Sequence, residues 1–599
     1  MESVPFTLAV TIPEAGCPDD ALLYWTTDGS EPDYSSMHGK EALLDIDRAT
    51  VVRAKIISPG LLSPRSVTHS YIFHPRELTL PVVSLVTDSA HLYSEEYGIL
   101  LGGQPSGTGN CYEDWRRPVN IEYFEEPGHA AVINQLCETE VCGKYSRTFS
   151  QKSLKLVASK RFGKKRFTAQ LWPDDKPGIT RVKSFRLRNG GNRCLDTRFE
   201  DALAQRIFGR WLGTLEWLAY TPVVAYINGE YKGIYGLRER TDDDYVEANF
   251  GITEEIDEEE DFYGHSPAYM EMHDLIKDDS STFADFASRM EMDQFIDYLC
   301  CETFACNLDF PNNNVYMWRQ KGGRWHFVLK DLDYFSQATY GYNYLNWLMI
   351  TGPEVENALM NPISHRLIIR LLSMSEFREP FIDRMGTYMG DFLHPDVTLP
   401  LVHQMHDEIA GEMEATFKSM TENLVFENFE NRVRERLIPF CEERPHWTYQ
   451  SLAQAFSLGD VVRMTVHPGG NSVLINGVGL TQDHFDGYTW TGRPLRLDSR
   501  NPNVGWRMTV SYPGGRTETF SYKHAEVTIR LEEEVGICDS IAFENIPIDP
   551  EDGIQHVVID GSAAPQQSYS IYGMPVSKDM HGIRLVRDAD GRYRKIMIK

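Results

Sequence analysis

The period of the hydrophobic residues changes twice along the 599-residue chain. From residue 1 to about 75, apolar residues alternate with polar ones between short turns, as in half-buried strands. Residues 76–455 mix strand patterns with amphipathic helices, and strict alternation returns in 456–545. Residues 546–599 are predicted to form a short β tail. These changes predict a multidomain α+β protein whose central two-lobed unit is flanked by all-β domains.

Charge and composition narrow the classes of partner. The chain has 87 acidic residues against 59 lysines and arginines, a formal net charge of -28 at pH 7. Such a protein is a poor non-specific binder of nucleic acid or of an anionic membrane surface, and it favours basic protein partners. The sequence lacks a run of about 18 apolar residues, so no membrane span is expected. The ten cysteines lack the paired spacing of a zinc site and leave the redox compartment open.

The most informative motif lies in residues 307–334. Asp309 follows a predicted helix and Asn314 comes five residues later, the spacing of the catalytic Asp and the metal-binding Asn in a protein-kinase catalytic loop. A predicted hairpin then leads to Asp331 and Asp333, whose alternation on a strand would place both carboxylates on one face, able to share a cation. On spacing alone, two surface carboxylates after a strand are an equally good interpretation.

Positive charge for such a site is expected from the strand-rich first half of the central unit. Alternation places Lys152 on the same face as Leu154 and Leu156, which is unusual for a lysine that only faces water. Arg147 precedes it after a predicted turn and could cover phosphates. A solvated lysine is the alternative. Neither a G-x-G-x-x-G nor a P-loop motif occurs there, which disfavours typical kinases and P-loop enzymes.

Five separated segments resemble, in the same order, the CotH kinase family, atypical kinases named for a spore coat protein. The resemblance covers about 80 to 450 and implies a divergent protein-kinase-like fold. It further implies transfer of the γ-phosphoryl group of ATP to Ser or Thr of an exported protein, with Mg or Mn. The acidic net charge suggests a Ser/Thr-rich, basic acceptor. The segments are residues 146–154, 185–192, 227–239, 307–316 and 331–333.

The resemblance also implies a role for each motif residue. Asp309 takes the position of the catalytic aspartate and Asn314 that of a metal ligand. The second metal ligand falls on Asp331 or Asp333, and the resemblance does not decide between them.

On the nucleotide side, the resemblance gives Lys152 the position of the nucleotide lysine, with Arg147 beside it. Glu239 lies where a hinge would pass the adenine, although a strand-end salt bridge explains it equally well. The family usually has Trp where Lys330 stands here. This departure beside the metal site favours a second interpretation, a pseudokinase scaffold of the same fold.

The flanking segments resemble modules of secreted bacterial proteins. Residues 24–32 and 50–55 resemble the β-sandwich at the end of chitobiases, and residues 568–599 loosely resemble a C-terminal sorting module of Bacteroidetes. Both imply an extracellular or cell-surface location. No export signal is visible at the start, so export would require a leader trimmed from a longer precursor. A cell-surface adhesion or glycan-binding protein is the third interpretation. The acidic run 254–261 is predicted to be a solvated linker.

Overall fold

The computed structural model describes most of the chain and divides it into two units, Met1–Ile546 and Pro547–Lys599. Several sheets combine with many helices, in agreement with the predicted multidomain α+β class. No helix in the described part of the chain combines the length and the apolar character that crossing a bilayer requires. The described residues are 4–13, 16–60, 62, 64–260, 266–311, 313–352 and 362–548, and the strands Ser568–Ser570, Gly582–Arg587 and Tyr593–Ile598.

The alternating pattern near the N-terminus forms six strands: β1 (Phe6–Thr11), β2 (Leu22–Thr26), β3 (Met37–Gly39), β4 (Glu41–Ile46), β5 (Thr50–Ile57) and β6 (Val67–Tyr71). They make two antiparallel sheets, β1-β4 and β3-β2-β5-β6. Leu23, Trp25 and Ala54 from the larger sheet pack with Ala42 from the smaller one. The likeness to a chitobiase module and any sugar binding by these sheets stay predictions.

The next segment holds nine strands: β7 (Val82–Val86), β8 (Arg117–Phe124), β9 (Ile133–Cys142), β10 (Ser153–Val157), β11 (Phe167–Thr168), β12 (Arg181–Val182), β13 (Ser184–Arg188), β14 (Tyr220–Ile227) and β15 (Glu230–Arg238). β11 and β12 form a separate ribbon, and the others close into one sheet in the order β10-β13-β15-β14-β7-β8-β9. All its pairs are antiparallel except β14 with β7. Its apolar core includes Leu85, Ile121, Leu154 and Leu187.

The described helices are mostly in the second half of the central unit and share its largest apolar cluster. A π-helical turn, Val433–Leu437, separates the last two of this set. The helices are α1 (Ser89–Tyr93), α2 (Glu200–Gly209), α3 (Asp243–Phe250), α4 (Pro267–Lys277), α5 (Phe283–Ala287), α6 (Met292–Ala305), α7 (Tyr344–Leu348), α8 (Pro362–Ser373), α9 (Ser375–Gly390), α10 (Pro395–Lys418), α11 (Phe426–Arg432) and α12 (Ile438–Phe456).

A small antiparallel sheet corrects one prediction. It consists of β16 (Ile256–Glu260), β17 (Tyr316–Gln320) and β18 (His326–Val328) in that order. The acidic run was predicted to be a solvated linker, and this was wrong for the part that forms β16. Two of its four carboxylates are paired with cations from distant segments: Asp257 lies opposite Arg319, with Oδ2 3.0 Å from its Nε, and Glu260 contacts Lys330. Asp261 lies outside the described residues.

The alternation after residue 456 forms nine strands: β19 (Val461–His467), β20 (Leu474–Ile475), β21 (Val478–Gly479), β22 (Phe485–Trp490), β23 (Leu495–Asp498), β24 (Val504–Ser511), β25 (Thr517–Tyr522), β26 (Glu526–Ile529) and β27 (Ser540–Pro547). A short helix, α13 (Leu531–Glu534), lies between the last two. The strands make two sheets, β22-β19-β27-β24-β25 and β21-β20-β23-β26, around one apolar core.

In the second unit, β28 (Ser568–Ser570), β29 (Gly582–Arg587) and β30 (Tyr593–Ile598) pair antiparallel in sequence order. Most of the rest of the predicted β tail, including residues 573–574 and 581 of the sorting-module likeness, lies outside the described residues. That resemblance stays a prediction.

Candidate active site

A cavity of about 320 Å³ lies where the ends of β9, β10, β13 and β15 meet the loops after α6 and β18. Its lining includes Asp309, Asn314, Asp331 and Asp333 together with Glu239. These residues come from segments far apart in sequence, so the fold gathers them. Arg147 and Lys152, which were also predicted for the site, are not part of this lining.

The loop that carries Asp309 is fixed at the end of α6. Cys306 ends the helix in the left-handed region, with φ of 55°, and turns the chain toward the cavity. The buried Asn307 donates from Nδ2 to Glu302 Oε2 at 3.0 Å, and its Oδ1 accepts from the Asp309 backbone N–H at 3.3 Å. Tyr344 donates its hydroxyl to the Asn307 carbonyl at 2.6 Å. Because these bonds are buried, they hold the backbone of Asp309 in one position.

Glu302 is fully buried behind this loop, at 0% exposure. Burial raises the pKa of Glu302 to about 8, although its hydrogen bond with Asn307 opposes the shift. Its carboxyl group therefore carries a proton at neutral pH and acts as a polar support without adding negative charge near Asp309.

Asn314 and Asp331 form the wall beside Asp309. Asn314 Nδ2 lies 3.4 Å from Asp309 Oδ2 and 3.4 Å from the Asp331 carbonyl oxygen. The strand predicted to run through Asp331 and Asp333 ends at Val328, so that prediction was wrong. Asp331 leaves the strand direction because it is left-handed, with φ of 55°. Consequently its side chain is 42% exposed, whereas that of Asp333 is 4% exposed.

Arg188 is the cation that the two aspartates share. Its Nη1 lies 2.8 Å from Asp333 Oδ1, its Nη2 lies 2.9 Å from Asp333 Oδ2, and Nη2 also contacts Asp331. Asp333 Oδ2 further accepts from the backbone N–H of Asn192 at 2.8 Å. Burial raises the pKa of Asp333 to about 7 against the opposing charge of Arg188. The charge of Asp333 therefore depends on this guanidinium.

Gly191 allows the two segments to approach. It has φ of 59°, and a Cβ on it would lie 2.0 Å from Asp333 Oδ2 and 2.6 Å from Arg188 Nη2. Both the backbone conformation and the space therefore require glycine at this position.

Other cations complete the cavity lining. Arg238 donates from Nη2 to Asp201 Oδ2 at 2.7 Å, while its buried Nη1 has no hydrogen-bond partner among the described residues. Lys330 contacts Glu260; burial alone would raise the pKa of Glu260, but this lysine brings the pKa below its usual value. Lys144 and Arg186 also line the cavity. Arg238 therefore lies against the cavity with one buried nitrogen that has no acceptor in the described part of the chain.

Lys152 and Arg147 have other contacts. The buried Lys152 Nζ donates to the carbonyls of Arg147, Phe149 and Gly102 at 2.6, 2.7 and 3.0 Å. Burial lowers the pKa of Lys152. Arg147 donates to the Cys111 carbonyl at 2.9 Å and to Asp114 Oδ1 at 2.8 Å. Both side chains hold the segment around residues 102–114 and do not face the cavity.

Glu239 has the salt bridge that was the alternative to a hinge role. Its Oε2 accepts from Lys176 Nζ at 2.6 Å and from the Ala219 backbone N–H at 2.8 Å, and its Oε1 accepts from Asn249 Nδ2 at 2.7 Å. It lines the cavity with its polar atoms already bonded.

Comparison with protein families matches residues 140–448, just over half of the chain, to the CotH kinase protein family. The chain belongs to this family. A search of curated proteins finds no match for it. The matched residues contain the whole lining of the cavity.

The sequence reasoning missed Arg186 and Arg188, although both lie in a segment that carried the family resemblance. Their signal was present: on β13 they alternate with Phe185 and Leu187, which are fully buried in the closed sheet. Two arginines on one face of a strand whose other face is core indicate a polar site on that side.

The oxygen donors in the cavity of this CotH-family protein fit a divalent cation such as Mg or Mn. Asn314 offers a side-chain amide and Asp331 a half-exposed carboxylate, and the two line the same cavity side by side. Hard oxygen donors with room for water are what Mg requires. Asp333 fits less well as a ligand, because both its oxygens already accept from Arg188.

Proposed function

We propose that this CotH kinase transfers the γ-phosphoryl group of ATP to a Ser or Thr hydroxyl of an acceptor protein. The observation that carries the proposal is that one cavity brings both kinds of group together. Asp309, Asn314 and Asp331 line it, and so do Arg186 and Arg238. Phosphoryl transfer needs this combination, because the protein's contribution is mainly positioning and electrostatic stabilisation.

Asp309 is proposed to face the acceptor hydroxyl. Its backbone is fixed by Asn307 and its carboxylate is partly exposed to the cavity. It would accept the hydroxyl proton in a hydrogen bond and so orient the oxygen for in-line attack on the γ-phosphorus.

Asn314 and Asp331 are proposed to hold the divalent cation. When bound there, Mg or Mn would neutralise charge on the phosphates. Arg188 plays a different part, because its guanidinium holds Asp331 and Asp333 together and fixes their distance from Asn192.

The phosphate-facing positive charge is assigned to Arg186 and Arg238 instead of Lys152. Both arginines line the cavity, and the buried Nη1 of Arg238 has no acceptor among the described residues. Lys152 already donates to three carbonyl oxygens. A lysine ammonium has three protons, so this set of bonds uses all of its donors.

The acceptor and its location follow from charge and family. A net charge of -28 favours a basic, Ser/Thr-rich acceptor protein. The family name refers to a spore coat protein, and we propose an extracellular or cell-surface site of action.

A pseudokinase scaffold is the second candidate, and one observation favours it. Arg188 already binds Asp331 and Asp333, and Lys330 occupies the cavity beside them. In this alternative the internal cations permanently replace the divalent ion, and the protein transfers no phosphoryl group.

Transfer assays separate the two candidates. The purified protein is incubated with labelled ATP, Mg or Mn, and a Ser/Thr-rich basic protein, beside Asp309→Asn and Asp331→Asn. A matched control is Asp483→Asn, because the Asp483 side chain is 97% exposed in the C-terminal β-domain. The proposal expects transfer by the parent and the control and its loss in both site variants. Absence of transfer by the parent, or equal transfer by all four proteins, would refute it.

A further inference from the structure

One short segment of this acidic protein is rich in lysine and arginine. Residues 160–166 contain five lysines and arginines in seven positions, within a chain of net charge -28. Lys160, Lys164 and Lys165 are exposed. They lie between β10 and β11, outside the cavity described above.

The fold brings further cations to the same place. β11 pairs with β12, with Thr168 opposite Arg181, so Arg181 lies beside the segment. A second cavity, of about 310 Å³, has Lys165, Arg166, Arg181 and Lys183 in its lining. The arrangement is therefore a concave basic surface and not only a basic stretch of sequence.

Some of these cations are neutralised and others are not. Arg166 Nη2 lies 2.6 Å from Glu247 Oε1, and Lys183 Nζ lies 3.0 Å from Asp244 Oδ1. By contrast, four exposed cations form no ion pair with any residue that the structure describes. We call these four the basic patch: Lys160, Lys164, Lys165 and Arg181. In a chain with an excess of carboxylates, unpaired neighbouring cations repel one another and gain from an external anion.

The second cavity, which Lys165 and Arg181 of the basic patch line, is linked to the candidate active site by one short segment of chain. Lys183, which lines the second cavity, immediately precedes β13, and Arg186 and Arg188 of β13 line the first. At about 3.3 Å per residue, the five steps from Arg181 of the basic patch to Arg186 span at most roughly 17 Å. An extended acceptor chain would cover this distance with about five residues.

We propose that the basic patch binds phosphoserine or phosphothreonine side chains that earlier transfers have placed on the acceptor, a few residues from the next hydroxyl to react. A phosphate group carries nearly two negative charges and three acceptor oxygens, which suits the unpaired Lys165 and Arg181 in the lining of the second cavity. This inference rests on the proposed function and adds to it a preference for acceptors that are already phosphorylated.

Net charge favours a short peptide over an extended polyanion. A membrane surface or a nucleic acid would meet the field of the whole protein, with its excess of carboxylates. A single phosphorylated side chain meets only the local potential, because charges beyond about 8 Å are screened at physiological salt.

Peptide binding tests the proposal without requiring transfer. A fluorescein-labelled Ser-rich peptide is prepared with Ser, phosphoserine or Asp at one position, and binding is followed by fluorescence anisotropy at low and high salt. The proteins are the parent and the triple variant Lys164→Gln, Lys165→Gln, Arg181→Gln. A matched control removes three exposed cations elsewhere: Arg436→Gln, Arg496→Gln, Arg530→Gln.

We expect the parent and the control to bind the phosphoserine peptide about tenfold more tightly than the Ser peptide at low salt, with the Asp peptide between them. The triple variant should lose this preference. The proposal is overturned if the triple variant keeps the preference, or if the control loses it equally. It is also overturned if phosphatidylserine-containing vesicles bind through the patch while the phosphopeptide does not.

Asp309→Asn separates this proposal from the proposed function. This variant should bind the phosphopeptide as the parent does. If the parent binds the phosphopeptide but transfers no phosphate, the kinase assignment is rejected and the anion site is kept. If the parent transfers phosphate but does not bind the phosphopeptide, the anion site is rejected and the kinase assignment is kept.

Discussion

Replacing Glu302 by Gln should change how the stability of the protein depends on pH. Glu302 is fully buried beneath the loop that carries Asp309, and burial raises its pKa to about 8 from an ordinary value of 4.5. Gln has the same shape, does not titrate, and can still accept the hydrogen bond from Asn307.

The direction in which stability changes with pH follows from the protons bound in the folded and unfolded states. Between pH 4.5 and about 8 the folded protein keeps the Glu302 proton while the unfolded chain releases it. The free energy of unfolding therefore falls as pH rises through this window and levels off above pH 8. At 1.36 kcal/mol per pKa unit, the shift corresponds to at most about 5 kcal/mol. Below pH 4.5 this group contributes no pH dependence.

Urea unfolding of the parent and Glu302→Gln between pH 4 and 9 measures the effect, because other titrating groups cancel in the difference between the two curves. From pH 5 to pH 9, the free energy of unfolding of the variant should rise by several kcal/mol relative to that of the parent. An exposed control, Glu427→Gln, should follow the parent throughout. Parallel curves for the parent and Glu302→Gln would show that Glu302 is ionised in the folded protein and refute the reasoning.

Three further substitutions test individual contacts. Lys152→Met should lower the free energy of unfolding by about 1–3 kcal/mol, because three carbonyls lose their donor, and leave the KM for ATP unchanged; a large rise in KM would return Lys152 to the nucleotide site. Gly191→Ala should abolish transfer and lower Tm, since its Cβ would meet Asp333, whereas Gly178→Ala, with open space around it, should change neither. Arg188→Gln should lower the free energy of unfolding, measured in urea, by about 3–5 kcal/mol, because Asp333 would be buried without its cation. Unchanged stability would mean that Asp333 is protonated.

Local periodicity predicted the strands because it depends only on which side chains face a core. Thr50–Ile57, Ser153–Val157 and Ser184–Arg188 lie where alternation placed them. The same reasoning failed for Ile256–Glu260, where four acidic residues in succession suggested solvent exposure. The cations that pair with them, Arg319 and Lys330, lie about 60 to 70 residues further along the chain, and a local pattern does not contain them.

The grouping of Asp309, Asn314 and Asp331 in one cavity was predictable from their order along the chain, and the cations that line the same cavity were not. Asp309, Asn314 and Asp331 follow one another through a short loop and one hairpin, so few geometries connect them. Lys152 was chosen because it shares a face with apolar residues, but burial of a lysine does not specify its partner. Here the partners are backbone carbonyls, one of them from Gly102, fifty residues earlier.

The formal charge of the cavity bears on how a nucleotide would bind there. The described lining of the first cavity has five cationic and six acidic side chains, so its formal charge is close to zero, within a protein of net charge -28. A free triphosphate would gain little electrostatic attraction from a cavity whose own formal charge is close to zero. A divalent cation at Asn314 and Asp331 would reverse the formal sign of the cavity and make it attractive for phosphates. On this reasoning the nucleotide binds together with its metal, and Arg186 and Arg238 orient the phosphates more than they attract them.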